Sequence, residues 1–287
     1  MNKSEYTPRK EKWINDKIDK DMRMVCDAIL KVVDPISIIL LGGFGRGEGS
    51  VVVNNSAIQP LKDYDLLLVM NEKINLSTLN KITSNAEQRL GYNKIISRNS
   101  FFSDFEISML PITLHDLKHL GDIKAYEVKT ASKVLYGEDV RERIKISAGD
   151  IPLSSGSRFL FNKVIGLLKR FSAAYLRKPP EESEKNCLIY ECAKAYMDIG
   201  TALSLISKNF KPTYTERSRI IKENYEAYFP ELARKVPDLD DKIAFFTELK
   251  LFPDRMKYEQ IEAVKLWFDT RRDLGITLRY YMNQHLD

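Results

Sequence analysis

The chain has 287 residues, 44% of them apolar and 30% charged, with a formal net charge of +5. That is more than a single core of roughly 100–200 residues uses, so two domains are expected. With 13 glycines, 11 prolines, three cysteines and three histidines, the composition argues against a disordered or fibrous chain, a disulfide framework and a histidine-built zinc site.

Taken in chain order, Trp13, Ile14, Ile18, Met22, Val25, Ile29, Val32 and Val33 fall at near-helical spacing and predict an amphipathic helix within residues 5–33. Asp34-Pro35 ends it, because the residue before proline is pushed out of the helical region. The charged opening MNKSEYTPRKEKW lacks the apolar core of a secretory signal, so a cytoplasmic location is expected. Ile36–Leu41 reads as a short buried strand entering a tight turn at Gly42-Gly43. It is also the longest strongly apolar run, far short of the roughly 20 residues that cross a bilayer, and no membrane association is expected. Residues 44–61 read as a loop with a short hairpin around Val51–Val53. DYDLLLVM, residues 63–70, is a second buried strand with two carboxylates at its start. A helix at 76–90, a strand at 101–111, a helix at 115–126 and a short extended segment at 133–137 follow.

From about Ser154 the pattern changes to long segments of helical period: 154–176, 184–207, 215–228, 238–250 and 256–283. Prolines at 179–180, 212, 230, 237 and 253 separate them. The expected class is therefore α+β: strands and helices together over residues 1–150, followed by an all-helical domain over residues 151–287.

Three features converge on one chemistry. Gly42-Gly43 opens a glycine-rich turn containing Arg46; glycines let a backbone approach a ligand closely and present N–H groups to an anion. Asp63 and Asp65, two apart on a strand, project from one face. Their mutual repulsion calls for a cation, and Mg²⁺ is the usual choice for oxygen ligands. Glu106 and Asp104 lie two apart on the later strand and share a face; either can supply a third carboxylate, with Glu106 the better placed before a short apolar segment.

The set LLGGFGRGEGS, DYDLLLV and FEIS resembles the DNA polymerase β-like nucleotidyltransferase superfamily, over roughly residues 36–137. The segment YEVKTASKVLYGED is similar to the end of that domain in its small-molecule branch, the aminoglycoside-adenylyltransferase type. The chain departs from the pattern in having Gly43 where serine is commoner, and in a longer spacer to Asp63, with residues 51–61 as the extra piece. The resemblance implies a nucleotidyltransferase fold followed by a substrate-binding helical domain. It also implies transfer of a nucleoside monophosphate, AMP from ATP, to a small-molecule hydroxyl with loss of pyrophosphate. Asp63, Asp65 and Glu106 would then be catalytic and would hold two Mg²⁺ ions, while Gly42, Gly43 and Arg46 would bind the nucleotide's phosphates.

In the helical half, Lys194 and Asp198 form an i,i+4 pair within the largely apolar YECAKAYMDIG, which makes Lys194 a candidate nucleotide contact. Tyr214, Arg217, Arg219 and Lys129 are weaker candidates. His115 and His119, also i,i+4, lack a third ligand nearby, and the cysteines read as packing residues. Two other readings stay open: the same chemistry directed to a protein side chain or an RNA 3′ end, and a catalytically inactive nucleotide-binding module. The mild net charge argues against a large nucleic-acid footprint.

Overall fold

A computed structural model describes residues 5–54, 57–92, 105–254 and 260–286. The expected alternative carboxylate Asp104, the start of the expected strand at 101–111 and the start of the expected helix at 256–283 lie outside the described residues. The described chain forms two compact units that part between Ile146 and Ser147.

The first unit begins with α1 (Lys12–Leu30), whose buried face carries Ile14, Ile18, Met22, Val25 and Ile29. Then come β1 (Ser37–Leu40), the short helix α2 (Gly42–Arg46), and a hairpin of β2 (Val51–Asn54) and β3 (Ala57–Pro60). Next are β4 (Asp63–Met70), α3 (Leu76–Leu90), β5 (Glu106–Thr113), α4 (Asp122–Thr130) and β6 (Lys133–Gly137). α3 starts where the Asn75 side chain accepts from Thr78 N–H and stops where Gly91 turns left-handed. The main sheet is mixed, in the order β5-β4-β1-β6; β4 and β5 run parallel, and β1 is antiparallel to both neighbours.

Both faces of this sheet are covered, which is why β1 and β4 read as unbroken apolar runs. Tyr64, Leu66, Leu68 and Met70 pack with the α1 core, while Leu67 and Val69 pack with Leu117, Ala125 and Val128. Alternation puts Asp63 and Asp65 on the second face, ahead of Leu67.

Two expectations need correction. Gly42-Gly43 is not a plain turn into a loop but the first part of a one-turn helix, which closes through a left-handed Gly47. The helix expected at 115–126 is a 3-10 turn (Asp116–His119) followed by α4, broken where Leu120 and Gly121 are extended.

The second unit is helical: α5 (Leu153–Arg170), α6 (Glu182–Ile206), α7 (Tyr214–Tyr228), α8 (Pro230–Lys235), α9 (Leu239–Leu251) and α10 (Ala263–Leu286). α6 is apolar nearly all round its second half, so it is buried by α5, α7, α9 and α10. Tyr196 stacks on Phe246 at 4.8 Å and donates its hydroxyl to Asp273 at 2.9 Å. Cys26 and Cys192 are buried and Cys187 half-buried, all as free thiols; burial pushes Cys26 and Cys192 up to about 12. Among the described residues no helix is long and apolar enough to cross a membrane.

Candidate functional site

The glycine-rich helix and the aspartate pair meet at one end of the sheet. Leu41 N–H donates to the Asp65 carbonyl at 2.8 Å, which delivers the chain from β1 directly onto β4. Gly42 follows at φ +62°, and a Cβ there would lie 2.2 Å from Asp65 Oδ2. Only glycine permits both the left-handed backbone and this approach of the carboxylate. Gly42 and Gly43 form the first turn of α2, where N–H groups have no partner within the helix.

β5 brings the third element. Glu106 N–H donates to Lys62 O at 2.9 Å, and the parallel register then sets Glu106 beside Asp63 and Ser108 beside Asp65. Asp63 and Asp65 are half-buried, whereas Glu106 is exposed. Lys62, just ahead of the pair, has φ +73°, an uncommon conformation for a side-chain-bearing residue and one that concentrates at functional sites.

The electrostatics follow from this placement. Asp65 is pushed up to about 6, first by burial and then by the negative charge of Asp63. Lys124, Arg46 and Lys62 act in the opposite direction without cancelling that rise. Arg46 is buried: it donates to Glu127 Oε2 at 3.1 Å and lies 3.5 Å from Glu48 Oε2, so it ties α2 to α4.

Among the described residues no group of three His, Cys, Asp or Glu side chains is arranged to hold a metal ion. The donor set is a carboxylate pair with Glu106 alongside it. A pair of this kind fits Mg²⁺, which is usually held by one or two carboxylates with the rest of its shell from water and substrate phosphates. The like-charged, half-buried pair is the feature of this structure that a cation would relieve.

The remaining candidates belong elsewhere. Lys194 lies on α6 in the second unit, with its ammonium 5.4 Å from the Tyr190 ring centre. Asp198 is ion-paired to Lys163 of α5 at 3.5 Å, and Lys194 acts on it as a further nearby charge. Arg217 is buried: it donates to Thr201 Oγ1 and Pro212 O, each at 3.0 Å, and also to Lys211 O. Arg219 pairs with Glu223 on the surface, and Lys129 donates to Ile146 O at 2.9 Å. His115 and His119 stand ring to ring, 5.4 Å apart.

No family model and no curated protein matches the chain. Among solved structures it is similar to a spectinomycin adenyltransferase, AAD(9), from Enterococcus faecialis, solved with ATP and spectinomycin. The two are 15% identical, with a TM-score of 0.48, over 95% of this chain and 99% of that one.

Two cations that act on Asp65, Lys62 and Lys124, are not among the residues expected from the sequence. Lys62 is adjacent to the aspartate pair, so its position alone was a usable signal. Lys124 reaches Asp65 only through the docking of α4, which no local pattern encodes.

Proposed function

We propose that the chain is an ATP-dependent nucleotidyltransferase that moves AMP to a hydroxyl of a small molecule. The observation that carries this reading is the half-buried, like-charged Asp63–Asp65 pair, with the Asp65 carboxylate held against Gly42. The motif resemblance points the same way. In the reaction the acceptor oxygen attacks the α-phosphorus, a new P–O bond forms, the bond to the β-phosphate oxygen breaks, and pyrophosphate leaves. Mg²⁺, when bound, would supply positive charge against the developing charge on the phosphates.

The chain's own residues divide the remaining work. Asp63 and Asp65 are the cation-holding carboxylates, and Glu106, exposed beside Asp63 in the β4–β5 register, takes the proton of the acceptor hydroxyl. The N–H groups of Gly42 and Gly43 face the phosphates, and Arg46 adds positive potential from behind α2.

The test is transfer of label from α-³²P-nucleoside triphosphates, with Mg²⁺, to separate panels of small molecules, RNA and proteins. Transfer to a small molecule that disappears in Asp63→Asn and Asp65→Asn supports the assignment. Transfer only to RNA or protein replaces the acceptor class. Absence of both transfer and metal-dependent nucleotide binding refutes the reading.

A further inference from the structure

The residue between the two aspartates turns away from them. Tyr64 is fully buried on the opposite face of β4. Its ring meets Phe44 edge-on with centres 4.8 Å apart, and Phe105 edge-on with centres 5.1 Å apart. Phe44 directly follows Gly43 in α2, and Phe105 directly precedes Glu106. The Tyr64 hydroxyl donates to Asp21 Oδ2 of α1 at 2.8 Å. Asp21 is itself buried, accepts from the Tyr92 hydroxyl at 2.5 Å and is paired with Lys17. Tyr92 in turn packs on Phe105, with ring centres 4.9 Å apart.

One ring therefore touches the immediate neighbour of each part of the candidate site. The backbone on either side of it carries Asp63 and Asp65, the Phe44 contact fixes α2, and the Phe105 contact fixes the chain entering β5. The hydroxyl adds one hydrogen bond to Asp21 on α1, separate from the two ring contacts. A leucine would fill the core on this face but is too short to meet both phenylalanines.

We propose that Tyr64 is a positioning residue, whose ring holds Gly42-Gly43, the Asp63–Asp65 pair and Glu106 in register with one another. This rests on reading the site as a nucleotidyl-transfer centre. Residues that orient ligand-bearing groups typically change metal affinity or activity roughly 10–100-fold when removed.

The experiment uses the full chain and two readouts: Mn²⁺-ATP affinity by calorimetry, and amide hydrogen exchange over residues 42–48 and 105–108. Tyr64→Leu is expected to weaken Mn²⁺-ATP binding by roughly 10–100-fold and to speed exchange in both segments. Tyr64→Phe keeps both ring contacts and should restore binding. Leu68→Ala, on the same strand and face, should lower stability while leaving binding and exchange at the two segments unchanged. Phe44→Leu removes one ring contact from the other side and serves where Tyr64→Leu does not fold.

Unchanged binding in folded Tyr64→Leu, or an equal loss in Leu68→Ala, overturns the positioning role alone. If both Tyr64→Leu and Phe44→Leu unfold, the ring serves the fold as a whole and the role is overturned. If the unsubstituted chain binds no Mn²⁺-ATP, the functional reading falls and takes this one with it.

Discussion

Gly42→Ala separates the geometry of the site from the stability of the fold. At φ +62° an alanine pays the left-handed penalty of about 1–2 kcal/mol. Its Cβ would also sit 2.2 Å from Asp65 Oδ2, where ordinary contact begins at 3.4 Å. The carboxylate must therefore swing away by about an ångström, a misplacement that costs on the order of 100-fold in rate. The closest clash is with the carboxylate end, while Asp65 Cγ at 3.1 Å and Cβ at 3.3 Å call for a smaller adjustment that the Asp65 backbone shares. The expected outcome is a protein about 1–2 kcal/mol less stable in urea titrations, with label transfer reduced on the order of 100-fold. Gly137→Ala is the control. It has φ +80° and a Cβ 2.0 Å from Ile36 O, at the far end of β1, so it should lose more stability and keep its turnover per folded molecule. Wild-type turnover in folded Gly42→Ala would refute the claim that the position of Asp65 sets the rate.

Three other outcomes are expected. Asp198 is pushed up to about 6 by burial, so between pH 4 and 6 the fold binds a proton that the unfolded chain has released, and stability falls by ~3 kcal/mol as pH rises through that window. Asp198→Asn should lack this slope, so its stability relative to wild type should rise by ~3 kcal/mol between pH 4 and 6 in urea titrations; a pH-independent difference would show an ionised Asp198 stabilised by Lys163. Lys62→Gly relieves a side-chain-bearing residue at φ +73° and should gain about 1 kcal/mol; a loss in thermal unfolding would mean that the lysine side chain contributes more than the strain costs. Arg217→Met leaves the Lys211 and Pro212 carbonyls and the Thr201 hydroxyl without their buried donor and should cost about 3 kcal/mol in calorimetric unfolding; a change inside ~0.5 kcal/mol would refute a clamping role.

Elements with strong local signals were legible in the sequence. α3 carries its own start and stop in Asn75 and Gly91, and the DYDLLLVM run marks β4 by composition alone. The short helices α2 and α8 were not legible. Five or six residues hold too little periodicity, and GGFGR has poor intrinsic helix propensity, so α2 owes its form to docking on β1 and β4. The chemistry of the aspartate pair could be read from a two-residue spacing. The support beneath it could not, since Tyr64 finds Asp21 on α1, 43 positions away in the chain. In the same way i,i+4 spacing suggested Lys194 as the partner of Asp198, but the pairing goes to Lys163 on a different helix.

Asp65 and Asp198 are both pushed up to about 6, yet they differ in what would relieve them. Asp198 is raised by burial alone, and every charge acting on it is positive: Lys163, Lys194 and Arg217. It behaves as a buried carboxylate whose partners fall short of its desolvation cost. Asp65 has cations nearby as well, from Lys62, Lys124 and Arg46 on three separate segments, but a second carboxylate acts against them. The charge of Arg46 is also shared with Glu48 and Glu127. A perturbed acid by itself therefore does not distinguish the two places. What distinguishes the β4 pair is the added like charge, together with a left-handed glycine that clears space directly against the carboxylate. Of these two carboxylates, only Asp65 has a left-handed glycine against it and a like charge that the nearby cations leave uncompensated, which is the condition a divalent cation arriving with a polyphosphate satisfies.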